Sequence, residues 1–222
     1  MLNRDSLAKQ VYIKLKEIII LQNTAGFHMG DRLSETLIAQ MFGCSITPVR
    51  ESLNMLRRDG LVTGSSYRSS SVVSFSRKDA ENLFELRSCL EVFALRKAIH
   101  LLTKENLDIM NQAQQQYRQA YLDFDQSGIV SHNRVFHDTI ITRAGNEMLR
   151  SEVNGLAERI AMVRAPIAQK RKKTGDMEYL LQPIKEHERL LKAIEVQNEE
   201  EAVAALEAHM NRVLGEVREC YR

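Results

Sequence analysis

The sequence predicts a mainly α-helical protein, with an N-terminal winged helix-turn-helix followed by an all-α bundle of about six helices. Apolar residues recur at helical spacing along most of the chain. Strand-like segments occur only between residues 61 and 75, and three prolines and ten glycines provide few breaks. The pattern changes at Ser76, and 222 residues are enough for two domains. We therefore expect a winged helix-turn-helix domain at 1–75 and a helical domain at 76–222.

The first domain is expected to contain three helices and a hairpin. Apolar residues at steps of three and four predict a helix over 5–22, and residues 23–32 form a loop. Ser34 is a suitable N-cap for a short helix that stops at Gly43, and a third helix follows Ser45 and ends at Gly60. The segments 61–63 and 71–75 then predict two strands around a serine-rich turn.

The second domain is expected to be helical throughout. Its first residues, S-R-K-D from Ser76, resemble a capping box. Glycine, asparagine, serine and threonine mark the joints between the later helices. The predicted helices lie near 77–102, 104–125, 128–143, 146–172, 176–197 and 199–221.

Charge and cysteine content limit the class of protein. The net charge is +2, but residues 1–75 carry +3 and residues 76–222 carry −1. This asymmetry favours a nucleic-acid partner at one end only. Three widely spaced cysteines do not suit a disulfide framework. The sequence has neither a secretory start nor a run of about 18 apolar residues, so we expect a cytoplasmic protein with no membrane partner.

The stretch GCSITPVRESLNMLRRDG, residues 43–60, predicts a recognition helix. Ser45 is expected to cap it through its hydroxyl, and Pro48 falls in the first turn, where a missing N–H costs nothing. A short helix, a tight turn at Gly43 and this second helix form a helix-turn-helix that can enter the major groove. A solvated helix face is the alternative. The polar residues that share its exposed face are Thr47, Arg50, Asn54 and Arg57.

The stretch LSETLIAQMFGCSITPVRESLNMLRRDGLV, residues 33–62, resembles the winged helix of the GntR family of bacterial transcription regulators. The resemblance implies a double-stranded, palindromic DNA operator bound by a homodimer. Ile46 stands where the family usually has arginine, and Ser65 and Ser66 stand where its wing usually has proline, so the operator is not transferable from relatives. The expected DNA-binding residues are Ser34, Thr36, Ser45, Thr47, Arg50, Asn54, Arg57 and Arg68.

Three of the six histidines lie on apolar stripes of predicted helices. His137 follows Asn133 by one turn, and His187 and His209 lie on two other stripes. A buried imidazole needs partners for both nitrogens, and a single one is usually a core residue. Three on the inward faces of one bundle also suit a metal ion, because neutral imidazole is a common ligand. The residues alone leave both alternatives open.

The segments NRVFHDTI, EHERLLKAI and AVAALEAHM resemble recurring motifs of the FCD ligand-binding domain of the FadR-type GntR subfamily. Many members bind a divalent metal with one aspartate and three histidines. The resemblance therefore implies His137, His187 and His209 as ligands, with zinc or nickel as the metal. Asn133 stands at the position of the aspartate. Its side-chain carbonyl oxygen is the expected fourth ligand, but the only anionic protein ligand is lost.

The same resemblance implies a small organic or sugar acid as effector, received by the metal and nearby arginines. Arg87 is the expected anion clamp and Arg159 a weaker candidate, with a structural salt bridge as the alternative for Arg87. We predict a transcriptional regulator. One alternative is a regulator that responds to the metal itself. A three-His metalloenzyme is disfavoured, because no H-E-x-x-H occurs and Glu186 and Glu188 are expected to point away from His187.

Overall fold

The computed structural model describes residues 7–22, 25–64, 69–174 and 177–221. Within these residues the regular structure consists of nine α-helices and three short strands, which confirms the predicted mainly α fold. The chain divides into two compact units, residues 1–75 and 76–222.

The first unit combines three helices with a small antiparallel sheet. The elements are α1 (Leu7–Leu21), β1 (Arg32–Leu33), α2 (Glu35–Phe42), α3 (Ile46–Arg58), β2 (Val62–Thr63) and β3 (Ser70–Val72). The strand order is β1-β3-β2, with Arg32 opposite Ser71 and Val62 opposite Val72.

Helix α1 fixes the position of α3 in this unit. Leu15 and Ile19 of α1 are fully buried, as are Val49 and Leu56 of α3, and the two helices pack together. At the end of α3, the Tyr12 hydroxyl donates to Asp59 Oδ2 at 2.5 Å. Burying one face of α3 leaves its polar face exposed.

The sequence predictions for the segment before α3 are only partly confirmed. Gly43 closes α2 with φ +60°, a conformation that glycine adopts without strain, and the Ser34 hydroxyl caps α2 by accepting from Leu37 N at 3.3 Å. Ser45 occupies the N-cap of α3, but its side chain makes no capping bond, so that prediction is wrong. Residues 23–32 were expected to be loop, but Arg32 pairs in β1. The sequence could not indicate this strand, because two residues are too few to show a periodicity.

The second unit contains the six predicted helices, with ends that differ from prediction by at most four residues. Ser76 and Asp79 form the predicted capping box at its first helix. The helices are α4 (Arg77–Ala98), α5 (Lys104–Leu122), α6 (Gln126–Arg143), α7 (Glu147–Thr174), α8 (Met177–Glu195) and α9 (Glu199–Cys220).

All six helices contribute buried residues to the core of the second unit. Helix α5 packs on α6, α8 on α9, and α4 on both α6 and α9. Phe136, Leu190 and Leu206 are fully or almost fully buried there. This arrangement turns one face each of α6, α8 and α9 toward a common centre. Among the described helices, none combines the length and apolar character that a membrane span requires.

Candidate metal centre and nucleic-acid face

Three histidines meet in the centre of the helical unit. His137 comes from α6, His187 from α8 and His209 from α9, and each is at most 2% exposed. One ring nitrogen from each lies within 4.8 Å of the other two. The structure thus brings together the three histidines that the sequence placed on separate inward stripes.

A glutamine fixes the protonation of His187. Gln114 Nε2 donates to the Ile184 carbonyl at 2.9 Å, so its amide oxygen must face the imidazole. That oxygen lies 3.2 Å from His187 Nδ1. Nδ1 therefore carries the proton and donates it, and the lone pair of Nε2 is left for another partner.

Carboxylates take the same position at the other two histidines. Glu186 Oε2 accepts from His209 Nδ1 at 2.8 Å. Glu91 Oε2 lies 2.6 Å from His137 Nδ1, at ion-pair distance although the N–H direction is poorly aligned. Both carboxylates favour a proton on Nδ1. Glu186 was expected to point away from His187, and its carboxylate contacts His209 on a different helix instead. The sequence did not indicate this contact.

The Nε2 atoms of all three histidines are buried and make no hydrogen bond within the described residues. Burial, followed by the nearby charges of the other histidines and of arginines, lowers the pKa of His187 and His209 well below the usual range. These two imidazoles are therefore neutral near pH 7. Three imidazoles with unpartnered Nε2 atoms, each with an oxygen acceptor close to its Nδ1, suit a divalent metal ion.

Aromatic rings hold His187 in place. Phe136 stacks on its ring with centroids 4.6 Å apart and an interplanar angle of 8°. Tyr117 stacks with it at 4.9 Å and 18°. Together with the Gln114 contact, these rings fix the orientation of the His187 imidazole and the direction of its Nε2.

Asn133, the expected fourth ligand, is engaged by an arginine. It is buried on α6, and its Oδ1 accepts from Arg164 Nη1 at 3.1 Å. Arg164 lies on α7 and also hydrogen-bonds Tyr117. Since a guanidinium only donates, the oxygen of Asn133 faces Arg164. Arg164 thus places a positive charge beside the histidine cluster.

Arg87 lies at the site but is bound to a carboxylate. Its Nε is 2.5 Å from Glu91 Oε1, and both side chains are buried. The alternative of a salt bridge is therefore the arrangement that the structure shows for Arg87. Arg159 is half-buried and donates to the Gly155 carbonyl at 3.4 Å, on its own helix. No contact described for Arg159 joins it to the histidines.

A second layer of charges holds Glu186. Arg212 Nε lies 2.5 Å from Glu186 Oε1, and Arg212 Nη1 lies 2.7 Å from Glu216 Oε2. Glu216 is also paired with the buried Arg171. This network joins α7, α8 and α9 and keeps a carboxylate directed at His209.

Four residues of the site were not predicted as site residues from the sequence: Glu91, Gln114, Arg164 and Glu186. Gln114 lies one turn before the buried Tyr117 on α5, and Glu91 one turn after Arg87 on α4. Those positions could have indicated polar residues on inward faces. The contact from α7 through Arg164 depends on helix packing alone.

The polar face of α3 lies in the first unit. Thr47, Arg50 and Asn54 are exposed, and Arg50 Nε forms a 2.7 Å ion pair with Glu35 on α2. Ser34, Thr36 and Ser45 are exposed at the start of α2 and α3. This face therefore presents hydroxyl, amide and guanidinium groups to solvent.

The other two expected DNA-binding residues differ from this face. Arg57 is half-buried and donates to Asn54 Oδ1 at 2.5 Å and to Ser70 Oγ at 3.1 Å, so it links α3 to β3. Arg68 lies outside the described residues. The exposed cation on the described part of the face is therefore Arg50, with Arg58 at the end of the helix.

A helix-turn-helix unit followed by a helical unit is an architecture found in transcriptional regulators. The FCD domain model matches residues 82–212, and the model described as bacterial regulatory proteins, gntR family, matches residues 7–72. The chain belongs to the GntR family, with an FCD domain. It is a transcriptional regulator, not an enzyme.

Known relatives and structures agree with this membership. The HTH-type regulator YdhC of Bacillus subtilis (strain 168) is 27% identical over 91% of this chain and 87% of its own. The Nta operon transcriptional regulator of Aminobacter aminovorans is 25% identical over 88% and 89%. The structure of Escherichia coli McbR/YncC has the same fold, with a TM-score of 0.79 and 23% identity over 99% of this chain and 100% of that one.

Proposed function

We propose that this regulator binds a palindromic operator as a homodimer and that a small carboxylate effector, bound at a metal in the helical domain, controls that binding. The three unpartnered Nε2 atoms of the buried histidines carry the proposal. Residues 1–75 act as the DNA-binding domain and residues 76–222 as the effector and dimerisation domain.

The exposed face of α3 supports the DNA contact. A recognition helix presents residues of its first turns to base edges and phosphates. Thr47 and Arg50 lie there and are exposed, and arginine can bind guanine or phosphate through two donors. The Arg50–Glu35 pair is solvent-exposed and weak, so DNA can replace it.

Replacing Arg50 with alanine is expected to weaken operator binding by about 1–3 kcal/mol, because a direct contact to base or phosphate is lost. The operator would be selected by the protein from random duplexes, and the affinity measured by fluorescence anisotropy at fixed salt. The matched control is Arg189→Ala, which removes a solvent-exposed arginine of the helical unit. Equal affinity for wild type and Arg50→Ala would exclude α3 as the recognition helix.

The homodimer is supported by an apolar stripe on α4. Leu86 and Phe93 are each about half exposed, and Cys89 lies exposed between them. One helix face that is exposed in this way suits a symmetric contact with a second copy. Sedimentation of the selected complex should give two chains per duplex.

The metal part of the proposal is supported by the ligand set. Three histidine ligands with second-layer acceptors beside their Nδ1 atoms leave coordination positions open for an exogenous oxygen ligand. His137, His187 and His209 would hold zinc or nickel. The metal would polarise and bind a carboxylate oxygen, and Arg87 and Arg159 remain the effector-binding residues implied by the family.

Purified protein without an affinity tag is expected to contain about one zinc or nickel per chain, and a His137→Gln variant much less than that, because glutamine provides no imidazole nitrogen. Inductively coupled plasma mass spectrometry would measure both. His132→Gln, a half-buried histidine on the same helix, is the matched control. Absence of metal from wild type, even after incubation with excess zinc, would refute the metal site.

Effector control can be separated from control by the metal alone. If metal removal changes operator affinity with no organic acid present, the metal is the signal. If metal-loaded protein changes affinity only when a carboxylate is added, the proposed effector mechanism holds. The effector must bind two dimer arrangements with different affinities to have this result.

A further inference from the structure

We propose that the metal and a small carboxylate bind this site as a cooperative pair, because the site lacks an anionic protein ligand and its Arg164 makes no ion pair with the described residues. This inference rests on the proposed function and concerns how the site is filled. The carboxylate supplies the negative charge that Asn133 does not, and Arg164 is its protein partner.

The first observation is that the ligand set contains no anion. It consists of three histidines and, at the fourth position on α6, the amide of Asn133. A divalent ion held only by such ligands keeps its full charge in a buried site. Burying an uncompensated charge is costly, so an anionic ligand on the metal would strengthen metal binding.

The second observation is the charge that surrounds the ligands. The carboxylates linked to the site are each taken by an arginine or by a histidine Nδ1. Arg87 is paired with Glu91, and Arg212 is paired with Glu186 and Glu216. Arg164, in contrast, makes no ion pair with any of the described residues and contacts the amide of Asn133.

Arg164 is the cation of the site whose hydrogen-bond partners are neutral. Its acceptors are the Asn133 amide oxygen and the Tyr117 hydroxyl, and Glu216 acts on it only at longer range. Its Nη1 lies 3.1 Å from Oδ1 of Asn133, which is one turn before His137 on α6. A metal ion in the cluster would add further positive charge beside it.

One anion can satisfy both charges. The planar fork of a guanidinium matches a carboxylate, and divalent ions accept carboxylate oxygens. A small carboxylate between the metal and Arg164 would neutralise both. Binding of either component then favours the other by the same factor, as thermodynamic linkage requires.

The test measures zinc affinity of the metal-free full-length protein with and without acetate. A chromophoric chelator competes for zinc, and acetamide, a neutral analogue of the same shape, replaces acetate in the control at equal ionic strength. We expect acetate to lower the apparent Kd for zinc by about tenfold or more and acetamide to leave it unchanged.

Two variants identify the residues responsible. Asn133→Asp keeps the side-chain shape and supplies the missing charge, so it should bind zinc about tenfold more tightly without acetate and respond to acetate by less than about twofold. Arg164→Gln should keep zinc but lose most of the acetate response. In Co²⁺-substituted protein, acetate should alter the visible d–d absorption of wild type and leave that of Asn133→Asp unchanged.

The outcomes separate this inference from the proposed function. Zinc that binds wild type equally well with acetate and with acetamide would overturn the cooperative pair and leave the metal site intact. Zinc that binds under neither condition would overturn both. An acetate response that survives in Asn133→Asp would show that the missing negative charge is not its cause.

Discussion

Replacing Glu91 with glutamine is expected to lower the free energy of unfolding by about 3–5 kcal/mol. Glu91 is buried between Arg87 Nε at 2.5 Å and His137 Nδ1 at 2.6 Å. Burial opposes its ionisation, but the charges of Arg87 and His137 outweigh burial and hold the pKa of Glu91 well below its usual range. An amide there would leave the Arg87 guanidinium buried without a counter-charge.

Urea unfolding of metal-free protein at one fixed concentration and neutral pH would measure the loss. The matched control is Glu201→Gln, which breaks the exposed Arg189–Glu201 pair and should cost at most about 1 kcal/mol. A second variant, Arg87→Met with Glu91→Leu, removes both charges and should be more stable than Glu91→Gln alone. A loss below about 1 kcal/mol for Glu91→Gln would contradict the assigned ion pair.

Local signals predicted the helices of this fold well. Capping residues such as Ser34 and Ser76, and the positive-φ turn at Gly43, act within four residues of the chain. Their effect can be recognised from the sequence, because the partners are near in sequence. The exception, Ser45, shows that a serine at an N-cap position need not make the capping bond.

Only part of the candidate site could be predicted, because signals in the sequence act between residues that are near one another along the chain. The three histidines could be found because each falls on an apolar stripe of its own helix. Their partners could not, since Gln114 meets His187 across 73 residues and Asn133 meets Arg164 across 31. The sequence also predicted Arg87 as an anion clamp, while the structure pairs it with Glu91 one turn away. Such pairings depend on which helices pack, and periodicity does not determine that.

Metal-free protein is expected to lose stability as the pH falls below about 6.5, because its buried histidines resist protonation. An unfolded histidine binds a proton near that pH, whereas burial first, and then nearby positive charges, lower the pKa of His187 and His209 in the folded state. The unfolded chain therefore binds more protons, and acid favours it. Each histidine contributes about 1.4 kcal/mol per pH unit. The charged and titratable groups that face these histidines are His137, Arg87, Arg164, Arg212 and Glu186.

Urea unfolding near pH 7.5 and near pH 5.5 should therefore differ by about 2–3 kcal/mol, with the lower stability at the lower pH. His209→Gln removes one of the two groups and should reduce this difference by about half. Glu91 does not interfere, since a carboxylate with a lowered pKa loses its contribution only below the unfolded value of about 4.3. Equal stability at both pH values would mean that these histidines bind protons as easily in the folded protein as in the unfolded chain. His187 and His209 would then not stay neutral near pH 6, and protons would compete with a metal ion for them.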